Sequence, residues 1–94
     1  MVNNNFLLIA YDVAATRRRN KIAKILEAYG TRVNYSVFEC LLTTSRAETM
    51  KNELARYIKT GKDTILVYTL CKSCVNKRIT IKGKNETVEI VKVL

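Results

Sequence analysis

Two short apolar runs constrain this chain more than any other feature: Phe6-Leu7-Leu8-Ile9-Ala10-Tyr11 and Thr64-Ile65-Leu66-Val67-Tyr68-Thr69-Leu70. Each has the length of a strand. Each is apolar at successive rather than alternate positions, the pattern of a strand covered on both faces. Between and after them the periodicity changes. Ile22, Ile25, Leu26 and Tyr29 recur at helical spacing, with Thr16 placed to cap the start of a helix and Gly30 to end it. Arg32 to Leu42 alternates, with Val33, Tyr35 and Val37 against Asn34, Ser36 and Phe38, and predicts a second strand of more than average length. Ser45-Arg46-Ala47-Glu48 fits a capping box, and Ala47, Met50, Leu54, Tyr57 and Ile58 then mark the buried stripe of a second helix ended by Gly61. After the second apolar run, Val75 to Lys82 alternates around Ile79 and Ile81 as a further strand. Gly83-Lys84-Asn85 predicts a turn, and Val88 to Leu94 a last strand.

The expected fold is α+β: a ferredoxin-like β-α-β-β-α-β domain with an extra C-terminal strand. It is read as a single domain over residues 1–94, with a core at 5–82 and the C-terminal strand at 86–94. The two doubly apolar strands are expected at the centre of the sheet. Two helices cover only one of its faces, so a second copy of the chain is expected on the other, giving a homodimer. A terminal strand suits the extension of a sheet edge, its own or its partner's.

Charge and absences narrow the function. Lys and Arg number 17 against 8 Asp and Glu, a net charge of +9. The chain has no histidine, which removes His-based triads and ribonuclease chemistry, and its three glycines, Gly30, Gly61 and Gly83, form no phosphate loop. No apolar run approaches a membrane span, and Asn3, Asn4 and Asn5 stand where a signal peptide would have its apolar core. With an odd count of three cysteines, a reduced, cytoplasmic protein without a membrane partner is expected.

Arg17, Lys21 and Lys24 fall on one ridge of the first helix, and Arg18 and Arg19 flank it in the first turn. Cations at a helix start oppose the macrodipole, and a bound phosphate would offset that cost. With Arg78, these residues are the expected nucleic-acid surface. Exposed base-stacking aromatics are too few for the sheet-based mode of RNA recognition. Asp12, directly after the first apolar run, is the candidate metal ligand. One carboxylate makes a poor Mg²⁺ site, but two copies meeting on a twofold axis would make a paired one. Cys71-x-x-Cys74 supplies two of the four ligands that a structural zinc needs. A redox pair of this kind should precede a helix, whereas here a strand is expected on either side.

Tyr11-Asp12-Val13, Arg19-Asn20-Lys21, Arg32 with Tyr35-Ser36-Val37-Phe38-Glu39, and Leu70-Cys71-x-x-Cys74 together resemble one family, from Phe6 to about Ile81. It is the small dimeric CRISPR-associated protein of the spacer-acquisition module, which bridges two integrase dimers and is also described as an endoribonuclease. The resemblance implies a ferredoxin-like homodimer whose C-terminal strands complete a sheet or dock on neighbouring subunits. It implies two functions. In one, the dimer binds duplex DNA beside its integrase subunit during insertion of new spacers. In the other, it is a Mg²⁺-dependent endonuclease acting on double-stranded DNA or single-stranded RNA. There Asp12 of both subunits would hold the metal, Arg19, Lys21 and Arg32 the scissile phosphate, and Tyr11 and Phe38 would shape the site, with Ser36 donating a hydrogen bond or only packing. Two departures stand out: Thr69 replaces the family's usual proline before Leu-Cys, and Ala14-Ala15 follow the acidic tip in place of polar residues.

Overall fold

The computed structural model describes residues 4–81 and 88–90. In chain order the elements are β1 (Asn4–Asp12), α1 (Thr16–Glu27), β2 (Gly30–Asn34), β3 (Val37–Thr43), α2 (Thr44–Ala55), β4 (Thr64–Leu70), α3 (Lys72–Asn76), β5 (Ile79–Ile81) and β6 (Val88–Ile90). Strands β1 to β4 make one antiparallel sheet in the order β2-β3-β1-β4, and β5 and β6 make a separate two-stranded sheet. This is the expected ferredoxin-like α+β arrangement.

How the chain reaches that order differs from the sequence expectation. The segment expected as one long strand is a hairpin, β2 and β3, which turns at Tyr35 and Ser36. Alternation runs through the turn without a glycine or proline to mark it, so the sequence pattern hides the break. That hairpin supplies the strand which Val75 to Lys82 was expected to give. Residues 72–76 are instead helical, and only Ile79–Ile81 is extended there. The central strands are β1 and β3, whereas β4 lies at the edge, paired to β1 alone. Its inward residues Ile65 and Val67 pack on the core, while Leu66 and Tyr68 on its other face are 48% and 51% exposed. An apolar residue at every position reports that both faces are apolar, not that the strand has two neighbours.

One face of the sheet and the two long helices share the core. β1 contributes Leu7, Ile9 and Tyr11, β3 Phe38, Cys40 and Leu42, α1 Ile22, Ala23 and Leu26, and α2 Ala47, Met50 and Leu54. Each large side chain among them stabilises the fold by roughly 1.5–3 kcal/mol through burial. The opposite face is covered at Phe6, which is buried, and open beyond it, with Leu8 and Ala10 half-buried and Leu41, Leu66 and Tyr68 exposed. By strand alternation Asp12 shares the phase of Leu8 and Ala10, so it belongs to this open face. The Arg78–Glu39 ion pair ties the segment after α3 to the same face.

The helix ends also shift. α1 begins one residue earlier than a Thr16 cap would allow: Ala15 is the N-cap, without a side-chain cap bond, and the Thr16 hydroxyl instead accepts from Arg19 Nη2 at 2.9 Å. α2 is capped by Thr43, whose Oγ1 accepts from the Arg46 amide at 3.2 Å, because β3 runs straight into the helix. Ser45 therefore lies inside the helix, and the capping box does not form. α2 stops at Ala55, and Tyr57 and Ile58 pack on the core from beyond its end. Gly61, at φ 83°, makes the later turn in which the amides of Lys62 and Asp63 bond the Lys59 carbonyl. The expected turn at Gly83-Lys84-Asn85 and the last four residues of the expected C-terminal strand lie outside the described residues.

Gly30 starts β2 rather than ending α1, whose C-cap is Ala28. A Cβ at Gly30 would stand 2.2 Å from the Glu39 carbonyl oxygen and 2.5 Å from Cys40 Sγ. Backbone cannot retreat cheaply, so Gly30→Ala is expected to cost about 1–3 kcal/mol of stability, readable as a lower urea midpoint. An unchanged midpoint would mean that the hairpin can slide away from the added methyl.

Candidate functional site

The tip of β1 opens on a cavity of about 430 Å³, and four expected site residues line it: Tyr11, Asp12, Arg19 and Arg32. Asp12 is exposed, and its carboxylate has no hydrogen-bond or ion-pair partner among the described residues. Tyr11 is 5% exposed and holds the hairpin turn to the strand tip. Its amide donates to the Ser36 carbonyl at 3.0 Å, and its hydroxyl to the Tyr35 carbonyl at 3.1 Å. Phe38 does not line the cavity; it is fully buried in the core, its ring lies 6.3 Å from that of Tyr11, and the Arg32 guanidinium sits 5.3 Å above its centre. The stacked cation fixes Arg32 at the rim without removing its donors. Arg19 shapes the loop after β1 by donating to the Val13 carbonyl at 3.0 Å as well as to Thr16.

The remaining cations divide in a way that charge counting does not reveal. Arg18 is half-buried and committed to an ion pair. Its Nε and Nη2 donate to the two Asp63 oxygens at 2.7 and 3.1 Å, and the Asp63 side chain is fully shielded from solvent. Arg78 is held by Glu39. Lys21 leans over the Tyr57 ring at 5.1 Å, away from the cavity lining. Arg17 and Lys24 are exposed, with no hydrogen-bond or ion-pair partner among the described residues.

Asp63 is the residue that sequence reasoning missed. Besides Arg18 it accepts from the amides of Ala14 at 3.2 Å and Lys59 at 2.8 Å. It therefore ties the loop directly after Asp12 to the turn before β4. Arg18 and the two amides hold the Asp63 carboxyl well below the usual carboxylate range. No motif surrounds Asp63 in the sequence, and only the packing of two distant loops gives it a role. Asn20, Val13, Ala23, Tyr35 and Ser36 complete the cavity wall. Among the described residues no group of three or more His, Cys, Asp or Glu side chains could share a metal, and no helix is long and apolar enough to cross a membrane.

A four-stranded antiparallel sheet with two helices on one face, and a cleft that gathers an unpaired carboxylate and two arginines around the tip of a central strand, define a small ferredoxin-like protein. The sequence pattern of the family described as "CRISPR associated protein Cas2" matches residues 5–78, and the chain belongs to that family. The CRISPR-associated endoribonuclease Cas2 1 of Chloroflexus aurantiacus is 47% identical over 79 residues, 83% of this chain and 84% of that protein. The crystal structure of Streptococcus pyogenes Cas2 superposes with a TM-score of 0.74 at 32% identity, covering 82% of this chain and 99% of the other. A chain of a partial Cas6-RT-Cas1–Cas2 complex superposes with a TM-score of 0.70 at 30% identity, covering 87% and 92%.

Proposed function

We propose that this chain acts as a homodimer that binds duplex DNA through its cationic surface and bridges an integrase during insertion of new spacers. The exposed, unpartnered pair Arg17 and Lys24 on a helix with no acidic residue in its first turn carries the reading. Two copies bring +18, twice the +9 of one chain. The open apolar sheet face supports the pairing, because Leu41, Leu66 and Tyr68 are left in water by a single chain. The structural similarity to a chain from a complex that contains Cas1 supports an integrase partner. Arg18 and Arg78 serve this surface by holding loops, and Arg17, Lys21 and Lys24 meet phosphate.

Replacing Arg17, Lys21 and Lys24 with Ala tests the proposal. Duplex affinity falls alike for all sequences, and the slope of log K against log salt becomes shallower by about 0.9 for each phosphate left without its cation. Unchanged affinity and slope would remove this ridge from the interface. A free monomer at micromolar concentration in sedimentation would remove the dimer.

A second reading, metal-dependent cleavage of nucleic acid, rests on Asp12. Its donor set fits a hard cation such as Mg²⁺, which keeps its waters and takes one or two carboxylates with substrate phosphates. Asp12 of each copy would hold the ion, since that side chain belongs to the sheet face on which the second copy docks. A cation bound there supplies Lewis-acid polarisation of a phosphate and an ionisable bound water. Arg32 at the rim, fixed by Phe38, takes a non-bridging phosphate oxygen, and Arg19 keeps the loop behind Asp12 in place.

A further inference from the structure

The segment after β4 carries two thiols that neither nucleic-acid reading uses. β4 leads directly to Cys71, the N-cap of α3, and Cys74 lies inside that helical turn. The expectation of a strand on either side of Cys71-x-x-Cys74 is thus corrected, and with it the argument against a redox pair, which asks for a helix after the first cysteine. Spacing of three residues at a helix start puts both side chains on one side of the turn. Their sulfur atoms lie 3.0 Å apart, in hydrogen-bond contact. That is about one ångström beyond a disulfide bond of ~2.05 Å, so closure needs little more than side-chain rotation. Both thiols are exposed, whereas Cys40 is buried and its thiol is pushed up to about 11 by burial.

We propose that Cys71 and Cys74 form a reversible dithiol–disulfide couple that exchanges with small disulfides of the glutathione type. The Cys71 thiolate attacks one sulfur of the external disulfide, forming a mixed disulfide and expelling one thiolate. The Cys74 thiolate then attacks the Cys71 sulfur, closes the intramolecular bond and expels the second. The two protons lost by the cysteines end on the two released thiols, so the external disulfide is reduced by two electrons as the pair is oxidised. Cys71 is the attacking group because, once ionised, its sulfur can accept from the Ser73 hydroxyl, 3.2 Å away, and from the Cys74 thiol, 3.0 Å away. These bonds lower the Cys71 thiol to about 7 and raise that of Cys74. At pH 7 a thiol at about 7 is roughly half ionised, against about one part in a hundred at the ordinary 9.0. Lower basicity reduces intrinsic reactivity about eightfold over two units, so the net gain is about sixfold. Closure staples the turn through which the chain passes from the four-stranded sheet to β5. The couple is independent of whether the protein binds or cuts nucleic acid.

The test is incubation of the reduced, full-length protein with glutathione disulfide at pH 7, followed by intact mass and a non-reducing peptide map. The expected product has lost two hydrogens and carries a Cys71–Cys74 cross-link that dithiothreitol reverses. Cys74→Ser is expected to stop at one glutathione on Cys71. Alkylation of Cys71 by iodoacetamide in the folded wild type is expected to run about sixfold faster than in urea. A glutathione adduct that persists on the wild type without closing, or equal alkylation rates folded and unfolded, would overturn the proposal. The wild-type readouts decide it even where the variant folds poorly.

Discussion

Asp12→Asn is expected to lower Mg²⁺-dependent cleavage of nucleic acid at least ~100-fold while leaving duplex binding in the absence of metal intact or slightly stronger. The asparagine keeps the size and one oxygen of the side chain but removes the charge that a hard cation needs. Loss of several kcal/mol of Lewis-acid stabilisation corresponds to two or more factors of ten in rate. The side chain is exposed and makes no hydrogen bond or ion pair within the described residues, so the fold has little reason to respond. Cleavage titrated with Mg²⁺ and quenched by chelator, run beside sedimentation of both proteins, checks the prediction. Cleavage that survives in the variant would end the catalytic assignment. Full spacer integration by the variant beside its integrase would show that the adaptor role stands without it. The two readings thus separate on one substitution, because only one of them needs a carboxylate at the strand tip.

Asp63→Asn is expected to lower the melting temperature by roughly 5–15 °C near neutral pH, the scale for breaking a shielded charge pair in a domain of this size. Its two oxygens accept four hydrogen bonds: two from Arg18, one from the Ala14 amide and one from the Lys59 amide. Asparagine turns one acceptor into a donor that faces those donors and leaves the Arg18 guanidinium uncompensated. The pH dependence follows from the sign of the shift. The folded carboxyl titrates below the unfolded one, so its contribution is whole above the unfolded value of about 4 and is lost as pH falls below it. Thermal melts between pH 2 and 7 should therefore show a steeper acid limb in the wild type than in the variant. Parallel curves would mean that Arg18 and Asp63 are held by the fold rather than holding it. Because Asp63 anchors Ala14, the variant should also loosen the loop behind Asp12, which links a stability device to the cavity.

Much of the site was legible residue by residue. A carboxylate immediately after a doubly apolar strand has to emerge at the strand tip, and Tyr11, Arg19 and Arg32 do gather around Asp12 in one cavity. Phe38 was expected to shape the site, yet its strand phase turns it into the core, where it packs behind Tyr11 and Arg32 rather than lining the cavity. Lys21 was expected at the scissile phosphate, yet α1 turns it toward Tyr57. Periodicity places a helical residue on a face, but the neighbour beyond that face is set by how α1 leans on the rest of the chain.

The sequence by itself determined the alphabet of the fold: β1, α1, α2 and β4 follow from spacing, because strand and helix periods are local properties of the backbone. It also determined that two faces of the sheet are apolar and that the chain is strongly cationic. The tertiary structure alone decided that Arg32 to Leu42 folds back as a hairpin, that β4 stands at the edge, that Cys71 opens a helix, and which cations remain available. Those outcomes depend on pairings between residues far apart in the chain, such as Arg18 with Asp63 and Glu39 with Arg78, and no local pattern encodes a distant partner.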